Sequence, residues 1–396
     1  MPLMFEEMID RREVPAVKVH PRIIGDVSTE GAANVFAAGV ADMDFRPPQA
    51  VIEALQNRLD HGVFGYEFEA DGLKPSLVTW LDERHGWAIG EEDILDMPNV
   101  SNGLAASIRL FSEPGDGVIV QPPVFFEVHN LIEANDRVMV RNPLILNQGR
   151  YEMDLELLES QASDPATRLL FLCQPHNPVG RVWRREELLR LGEICLRHNV
   201  LVIADEIHGD LAFPGHAFIP FASLNEDFSA NCITLISPAK TFNIPACCSA
   251  FAIIMEETKR RRFLQDSDRL IANKNNAFEA VAMEAAYRGG GEWLDAAIAH
   301  FEANVALVRQ RLADVPWVDL IEPEGTFLIW LDFRKTGLRG DDLDGFLRND
   351  AGWVVSRGHA FGIEGEGFAR VNIATPSKAL ETALDRLVPV LTQNFA

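Results

Sequence analysis

The sequence has few of the features that several common protein classes require. It contains only five cysteines, none with zinc-ligand spacing, and its apolar runs are far too short to span a membrane. Acidic residues outnumber basic ones by 59 to 36, giving a net charge of −23, which argues against nucleic acid or an anionic membrane as a partner. We therefore expect no metal site and no membrane association. Because the cysteines are odd in number and unpatterned, we expect reduced thiols and a cytoplasmic location.

Two catalytic classes are also disfavoured by missing motifs. No Gly-x-Gly-x-x-Gly turn follows an early strand, so a nicotinamide-dependent dehydrogenase is not indicated. Ser237 and Lys240 have the Ser-x-x-Lys spacing of serine acylases such as penicillin-binding proteins. The Ser-Asp-Asn and Lys-Thr-Gly partner motifs of that class do not occur, so the spacing must be explained in another way.

The pattern of apolar segments predicts a mostly parallel sheet. A chain of 396 residues is expected to form two domains. In its first three quarters, short apolar runs alternate with amphipathic stretches, which is typical of a parallel sheet with helices on both faces. Strands are predicted at 117–120, 137–140, 169–173, 200–204, 233–236 and 250–254, and helices at 49–59, 73–85, 125–133, 155–161 and 186–198, with another that opens within 97–103 and ends near 111.

The pattern changes after three consecutive glycines at 289–291. A long helix is predicted at 292–312, short strands at 326–330 and 368–374, and a last helix at 378–391. We predict an α/β fold with two parts. Residues 46–290 form a large three-layer α/β domain, and residues 1–45 with 291–396 form a smaller α+β domain that includes an N-terminal arm.

Polar segments follow three of the predicted strands. They are Gln174–Gly180, Asp205–His208 and Ser237–Lys240. Each alone is explained by a turn, a helix cap or a solvent-facing side chain. Together they lie at the carboxyl ends of parallel strands, where α/β proteins bind ligands, so we expect them to line one crevice. A lysine there is costly unless it is paired or used covalently, and we hypothesise that Lys240 carries a cofactor as a Schiff base.

These motifs resemble those of a known superfamily. Asn177-Pro178-x-Gly180, Asp205-Glu206-Ile207-His208 and Ser237-x-x-Lys240 resemble the fold-type I pyridoxal phosphate enzymes, the aminotransferase class I/II superfamily. Further stretches, at 40–45, 61–66, 121–124, 175–183 and 218–224, are similar to the cystathionine β-lyase-type C–S lyases of the MalY/PatB group. The similarity extends over nearly the whole chain.

The resemblance implies roles for the residues of the predicted crevice. Lys240 would be the catalytic residue, bound to pyridoxal 5′-phosphate and moving the proton on the substrate's Cα. Asp205 would pair with the pyridine nitrogen. Asn177 and His208 would contact the ring's 3-oxygen, and Phe125 would stack on the ring.

The resemblance also implies how the two anionic groups are held. The substrate carboxylate would be bound by Arg370, Asn177 and Ala41, with the arginine supplying a bidentate fork. The cofactor phosphate would rest on the backbone of Val100 and Ser101, on the Ser237 hydroxyl, and on Tyr66 of a neighbouring subunit. Sites shared in this way imply a homodimer.

The sequence departs from the family pattern in three places. Phe125 stands where the group usually has a tyrosine, and Gly39 where it often has a tryptophan. The stretch that ends in Ala246, Cys247 and Cys248 replaces one that usually carries a glycine and often a basic phosphate ligand. The phosphate would therefore depend more on Ser237, Tyr66 and the helix N-terminus.

The implied activity is α,β-elimination of cysteine S-conjugates to a thiol, pyruvate and ammonia. An aminotransferase that moves an amino group between an amino acid and a 2-oxo acid uses the same residues and is the first alternative. A non-catalytic regulatory protein built on the same fold is the second.

Overall fold

The computed structural model of the chain describes residues 2–24, 35–66, 71–272 and 276–395. In chain order the strands are β1 (Phe36–Ala37), β2 (Ile94–Met97), β3 (Gly117–Val120), β4 (Val138–Arg141), β5 (Ile145–Asn147), β6 (Arg150–Glu152), β7 (Thr167–Cys173), β8 (Leu201–Asp205), β9 (Cys232–Ile236), β10 (Ala250–Ile253), β11 (Asp319–Ile321), β12 (Leu328–Asp332), β13 (Trp353–Val354), β14 (Ser356–Arg357) and β15 (Phe368–Asn372). The α-helices are Pro21–Ile24, Gln49–His61, Leu73–His85, Val100–Phe111, Glu127–Ala134, Leu155–Ala162, Arg185–Arg197, Glu226–Ala230, Pro238–Thr241, Glu257–Leu270, Ala277–Gly289, Gly291–Leu312, Gly340–Gly345 and Ser377–Phe395. Within these described ranges, no helix is both long and apolar enough to cross a membrane.

The large sheet is mostly parallel, as the sequence predicts. Its seven strands have the spatial order β2-β10-β9-β8-β7-β3-β4. The strands from β9 to β4 run parallel to one another, whereas β10 is antiparallel to both of its neighbours. The connection from β9 to β10 contains only the single-turn helix Pro238–Thr241, which is too short for the crossover that a parallel strand requires.

Both faces of the large sheet are buried, which explains its continuous apolar strands. In β7, Leu169 and Phe171 belong to the core on one face, whereas Leu170 and Leu172 belong to the core on the other. All four side chains are at most 1% exposed. Helices cover each face, so the predicted α/β fold with three layers is confirmed.

Some elements were not predicted, and their sequences explain why. The edge strand β2 is only four residues long and has Asp96 in its centre, which interrupts the apolar run. The helices Glu257–Leu270 and Ala277–Gly289 were also missed. The second begins with a reciprocal capping box between Asn276 and Glu279, a local signal that was available in the sequence. The helix predicted from residue 125 begins at Glu127 instead.

A second, antiparallel sheet forms in the C-terminal part, with the order β11-β12-β15-β14. The strand β1 pairs in parallel with β13, so residues 36–37 lie beside the C-terminal part of the chain. The predicted division into 46–290 and 1–45 with 291–396 stays a prediction.

A buried ionic network connects the loop after β7 with the segment before β12. Arg181 is 2% exposed, and its Nε donates to Oε2 of Glu324 at 2.8 Å while its Nη2 donates to Glu187 at 2.9 Å. Glu324 also accepts from the backbone N–H of Val182 at 2.9 Å and from Arg150 at 3.2 Å. These bonds, led by the one from Arg181, lower the pKa of Glu324 although its burial acts in the opposite direction.

We expect Glu324→Ala to lower the free energy of unfolding by about 3–5 kcal/mol, because it removes one of the two carboxylates that pair with the buried guanidinium of Arg181 and leaves the N–H of Val182 without its acceptor. Urea denaturation followed by tryptophan fluorescence measures this loss. Glu322→Ala is the matched control, since Glu322 pairs with Arg309 and both side chains are more than half exposed. Its cost should be at most about 1 kcal/mol, and equal losses in the two variants would contradict the prediction.

Candidate active site

Three polar segments meet at the carboxyl edge of the large sheet. β7, β8 and β9 are adjacent and parallel, and they lead to Asn177, Asp205 and Lys240. The first two segments are joined directly, because the N–H of Gln174 donates to the carbonyl of Asp205 at 2.9 Å. The structure therefore brings together the segments that the sequence analysis assigned to one crevice.

Lys240 lies on a single helical turn whose N-cap is Ser237. Its Nζ donates to the carbonyl oxygen of Ala41 at 2.7 Å, and the side chain stays partly accessible. Loss of solvent around the amine, followed by the charge of Arg370, lowers the pKa of Lys240. A lowered pKa favours the neutral amine, which is the nucleophilic and proton-accepting form.

In this crevice the pKa values of Asp205 and His208 are both shifted in the direction that favours the neutral side chain. Burial raises the pKa of Asp205 to about 6, even though the carboxylate accepts a hydrogen bond from the N–H of Ile207 at 3.2 Å. Burial, with the charges of Lys240 and Arg370, lowers the pKa of His208 to about 3. Within the described part of the chain, Nδ1 of His208 is buried without a hydrogen-bond partner. Both side chains can therefore accept a new polar partner in the crevice.

Arg370 reaches the crevice from β15 in the antiparallel sheet. Its Nη1 donates to the side-chain oxygen of Asn177 at 3.1 Å, and its Nη2 donates to the Gly39 carbonyl at 2.8 Å and to the hydroxyl of Ser356 at 3.0 Å. Among the residues that the structure describes, no carboxylate forms an ion pair with it, and its buried Nε has no partner. Burial lowers its pKa to about 10, so the side chain remains a cation at neutral pH. An enclosed guanidinium of this kind can receive a carboxylate.

The residues predicted to hold the cofactor phosphate lie in two turns, and each turn contains a serine whose hydroxyl could bind the phosphate. Val100 and Ser101 form the first turn of the helix Val100–Phe111, whose N-terminal N–H groups and dipole favour an anion. The hydroxyl of Ser101 donates to Oε2 of Glu127 at 2.7 Å, and that of Ser237 donates to the carbonyl of Ser249 at 2.7 Å. Both hydroxyls would have to exchange these acceptors in order to bind a phosphate.

Two of the predicted cofactor residues, Phe125 and Tyr66, are not fully buried in the described part of the chain. Phe125 is half-buried, with its ring centroid 5.1 Å from that of Phe126. Tyr66 is fully exposed. The role of Phe125 as a stacking residue therefore stays a prediction, and the exposure of Tyr66 leaves its side chain accessible to a neighbouring molecule.

Sequence reasoning missed several residues that shape this site. The side chain of Asn243 accepts from the Met43 N–H at 2.9 Å and donates to the Phe45 carbonyl at 2.7 Å. It adopts a left-handed backbone conformation with φ of 55°, which asparagine tolerates well. Glu127, which accepts from Ser101, was also missed. The one local signal for Asn243 was its position three residues after Lys240.

The observed donor set fits pyridoxal phosphate. The amine of Lys240, which is shifted toward its neutral form, suits the cofactor's aldehyde, and the buried acid Asp205 suits the ring nitrogen. The imidazole nitrogen of His208 that has no partner among the described residues suits the ring oxygen. The enclosed guanidinium of Arg370 suits the carboxylate of the substrate. No cluster of three or more histidine, cysteine or acidic side chains in the described ranges could hold a metal ion.

Comparison with known proteins gives extensive similarity. The family model for aminotransferase class I and II matches residues 34–387. The chain is 41% identical over 363 residues to cystathionine β-lyase PatB of Bacillus subtilis, covering 91% of this chain and 94% of that protein. It is 31% identical to the protein MalY of Escherichia coli over 361 residues, covering 90% and 92%. The crystal structure of cystalysin from Treponema denticola, which contains pyridoxal 5′-phosphate, has 32% identity and a TM-score of 0.94 over 98% of both chains.

We expect Asp205→Asn to stabilise the protein without bound cofactor in a pH-dependent way. The pKa of Asp205 is about 6 in the folded state and about 3.9 when unfolded, so the free energy of unfolding falls as pH rises between these values. The variant should match the wild type near pH 4 and exceed it by about 1–3 kcal/mol at pH 8. Urea denaturation across this range measures the difference.

Asp210→Asn is the control, for which we expect the opposite change in the free energy of unfolding. Burial raises the pKa of Asp210, but this is outweighed by its hydrogen bonds with His85, Thr241 and Trp80, so its net pKa is lowered. This variant should be less stable than the wild type at pH 8. Stability differences that do not change with pH in either variant would contradict the assignment of Asp205.

Proposed function

The chain belongs to the aminotransferase class I and II family, and we propose that it is a pyridoxal phosphate-dependent C–S β-lyase of the cystathionine β-lyase type. It catalyses α,β-elimination of cysteine S-conjugates to a thiol, pyruvate and ammonia. The observation that carries the proposal is the placement of Lys240 at the carboxyl edge of the large sheet, where its Nζ donates to the Ala41 carbonyl at 2.7 Å and the charges of Arg370 and Asp205 act on it. The 41% identity to PatB, which is named a cystathionine β-lyase, supports elimination as the main reaction.

Each residue of the crevice has a separate role in the proposed reaction. Pyridoxal phosphate, when bound, supplies a ring that stabilises negative charge at the substrate's α-carbon. Lys240 would hold the cofactor through Nζ, and its amine, when free, would accept the proton from the substrate's α-carbon. Asp205 would bind the ring nitrogen and favour its positive charge, and Asn177 and His208 would bind the ring's oxygen. Arg370 binds the substrate carboxylate and so aligns the α-proton with Lys240.

Lys240→Ala should lower the rate of pyruvate release from cystathionine by at least about 10³-fold, because the variant lacks both the attachment point and the general base. The visible absorption of the bound cofactor should also change, since it is no longer covalently held. Lys259→Ala is the control, because Lys259 lies outside the crevice, where its Nζ donates to the Ala230 carbonyl at 2.9 Å and pairs with Glu256 at 3.5 Å. Full turnover in Lys240→Ala would contradict the assignment, and a wild-type protein that binds no cofactor would favour a non-catalytic role.

An aminotransferase activity is the alternative that the family description supports. Incubating the holoenzyme with cystathionine or another cysteine S-conjugate separates the two reactions. Stoichiometric pyruvate and thiol support the lyase. A cofactor that takes up the amino group, and recovers only when a 2-oxo acid is added, supports the aminotransferase.

We also propose a cytoplasmic homodimer whose sites are shared between subunits. All five cysteines are free thiols, which supports a reducing compartment. The full exposure of Tyr66 supports a role in the partner's site, and Leu59, Val63 and Phe64, all more than half exposed, extend an apolar surface beside it.

Tyr66→Phe should raise the dissociation constant for pyridoxal phosphate about 5- to 30-fold, because it removes one hydrogen bond to a charged group. The dimer should persist, since the apolar ring is retained. Titration of cofactor absorbance measures the first quantity and sedimentation equilibrium the second. A monomeric wild-type protein, or an unchanged dissociation constant in the variant, would contradict the shared site.

A further inference from the structure

The segment 39–45 is held over Lys240 by side chains from several distant elements. The carbonyl of Ala41 accepts from Lys240, and those of Val40 and Asp42 each accept from Asn372 at 2.6 Å. Asn243 binds the backbone of Met43 and the carbonyl of Phe45, as described above. The segment has no regular structure of its own, so these bonds fix the position of the Ala41 carbonyl relative to the amine of Lys240.

A cluster of four charges, which we term the arm cluster, anchors the same segment from the N-terminal side. It consists of Arg11, Lys18, Asp42 and Asp44. Arg11 binds Asp42 through two bonds, at 2.6 and 3.1 Å, and reaches Asp44 at 3.0 Å. Lys18, which is 2% exposed, binds Asp44 at 2.8 Å. The side chains of Arg11 and Asp42 are only 20% and 17% exposed, so solvent screens their charges weakly.

The charge of Asp42 lies close to Lys240, because Asp42 directly follows Ala41, whose carbonyl accepts from the Lys240 amine at 2.7 Å. The groups whose charges act on the amine are Arg370 from β15, Asp205 at the end of β8, His208 after β8, Cys248 before β10, and Asp42 from the segment 39–45. Asp210 lies behind the same helical turn, where it accepts from Thr241 at 2.7 Å. Arg370 lowers the pKa of Lys240, whereas Asp42 raises it. Arg11 is the cation that binds Asp42 directly and so offsets its charge.

We propose that Arg11 is a positioning residue for the reaction, which neutralises Asp42 and thereby keeps the attachment point at Lys240 free of excess negative charge. This inference rests on the proposed function, because it concerns the protonation of the group at Lys240. Without Arg11, the carboxylate of Asp42 acts uncompensated next to the Ala41 carbonyl. A proton at Lys240 is then held more tightly, and the proton-accepting form appears only at higher pH.

The test follows the pH dependence of the bound cofactor's visible absorption in the holoenzyme, together with the acidic limb of the rate profile. Arg11→Gln should raise the midpoint pH of the absorption change and the midpoint pH of the acidic limb by about 0.5–1 pH unit each. Asp42→Asn should move them down, and the double variant should return close to the wild type, because the two charges are removed together. Arg11→Lys, which keeps the charge, should show less than half of the shift.

Arg12→Gln is the matched control, since the neighbouring Arg12 is more than half exposed and pairs only with Asp10 among the described residues. A midpoint in Arg11→Gln equal to that in Arg12→Gln, with cofactor bound in both, would overturn this inference alone. A wild-type protein that shows no bound-cofactor absorption would overturn the proposed function and this inference with it. Thermal unfolding of each variant separates a loss of fold from a shift in protonation, because a merely structural role for Arg11 would lower the unfolding temperature without moving the midpoints.

Discussion

Removal of solvent from the carboxyl edge of the large sheet determines the chemistry of this site. Burial is the largest cause of the pKa change at Asp205, His208, Lys240 and Arg370. In each case it favours the neutral form, and a bound partner of opposite charge would reverse that preference. The folded chain thus holds several groups in states that are unfavourable without a ligand. This cost is expected where a site is organised for binding and catalysis rather than for stability.

The crevice depends on contacts between parts of the chain that are far apart in sequence. Lys240 lies on the helical turn that follows β9 of the large sheet, Arg370 lies in the antiparallel sheet, and Ala41 lies in a segment near the N-terminus. Asn243 and Asn372 connect that segment to both sheets through its backbone carbonyls. A carbonyl held in this way is a fixed dipole, so it keeps the amine of Lys240 in one orientation without adding a full charge beside the substrate.

How much of this structure the sequence predicts depends on whether a feature is encoded by neighbouring residues or by residues far apart in the chain. An apolar run ending in a polar residue is a local pattern, and it located β7, β8 and β9 together with Asn177, Asp205 and Lys240. The direction of β10 could not be predicted, because an apolar run carries no information about its orientation in a sheet. The bonds of Asn243 to Met43 join residues 200 positions apart, and no local pattern encodes such a contact. The family resemblance supplied Arg370 and Tyr66, whose neighbours in sequence suggest no function.

The proposed phosphate site shows how an acidic chain can bind an anion with little help from cations. The stretch in which the group often carries a basic ligand here supplies Cys248, whose Sγ lies 3.7 Å from the Ser237 hydroxyl. Burial raises the pKa of Cys248 to about 12, so this neighbour is a neutral thiol that neither attracts nor repels a phosphate. Glu127, in contrast, accepts from Ser101 and opposes a second anion. Attraction must therefore come mainly from N–H groups and from the dipole of the helix Val100–Phe111, a partial charge that needs no counterion and does not depend on pH. Because that dipole equals only about half of one charge, we expect the proposed covalent bond to Lys240 to supply much of the cofactor's retention.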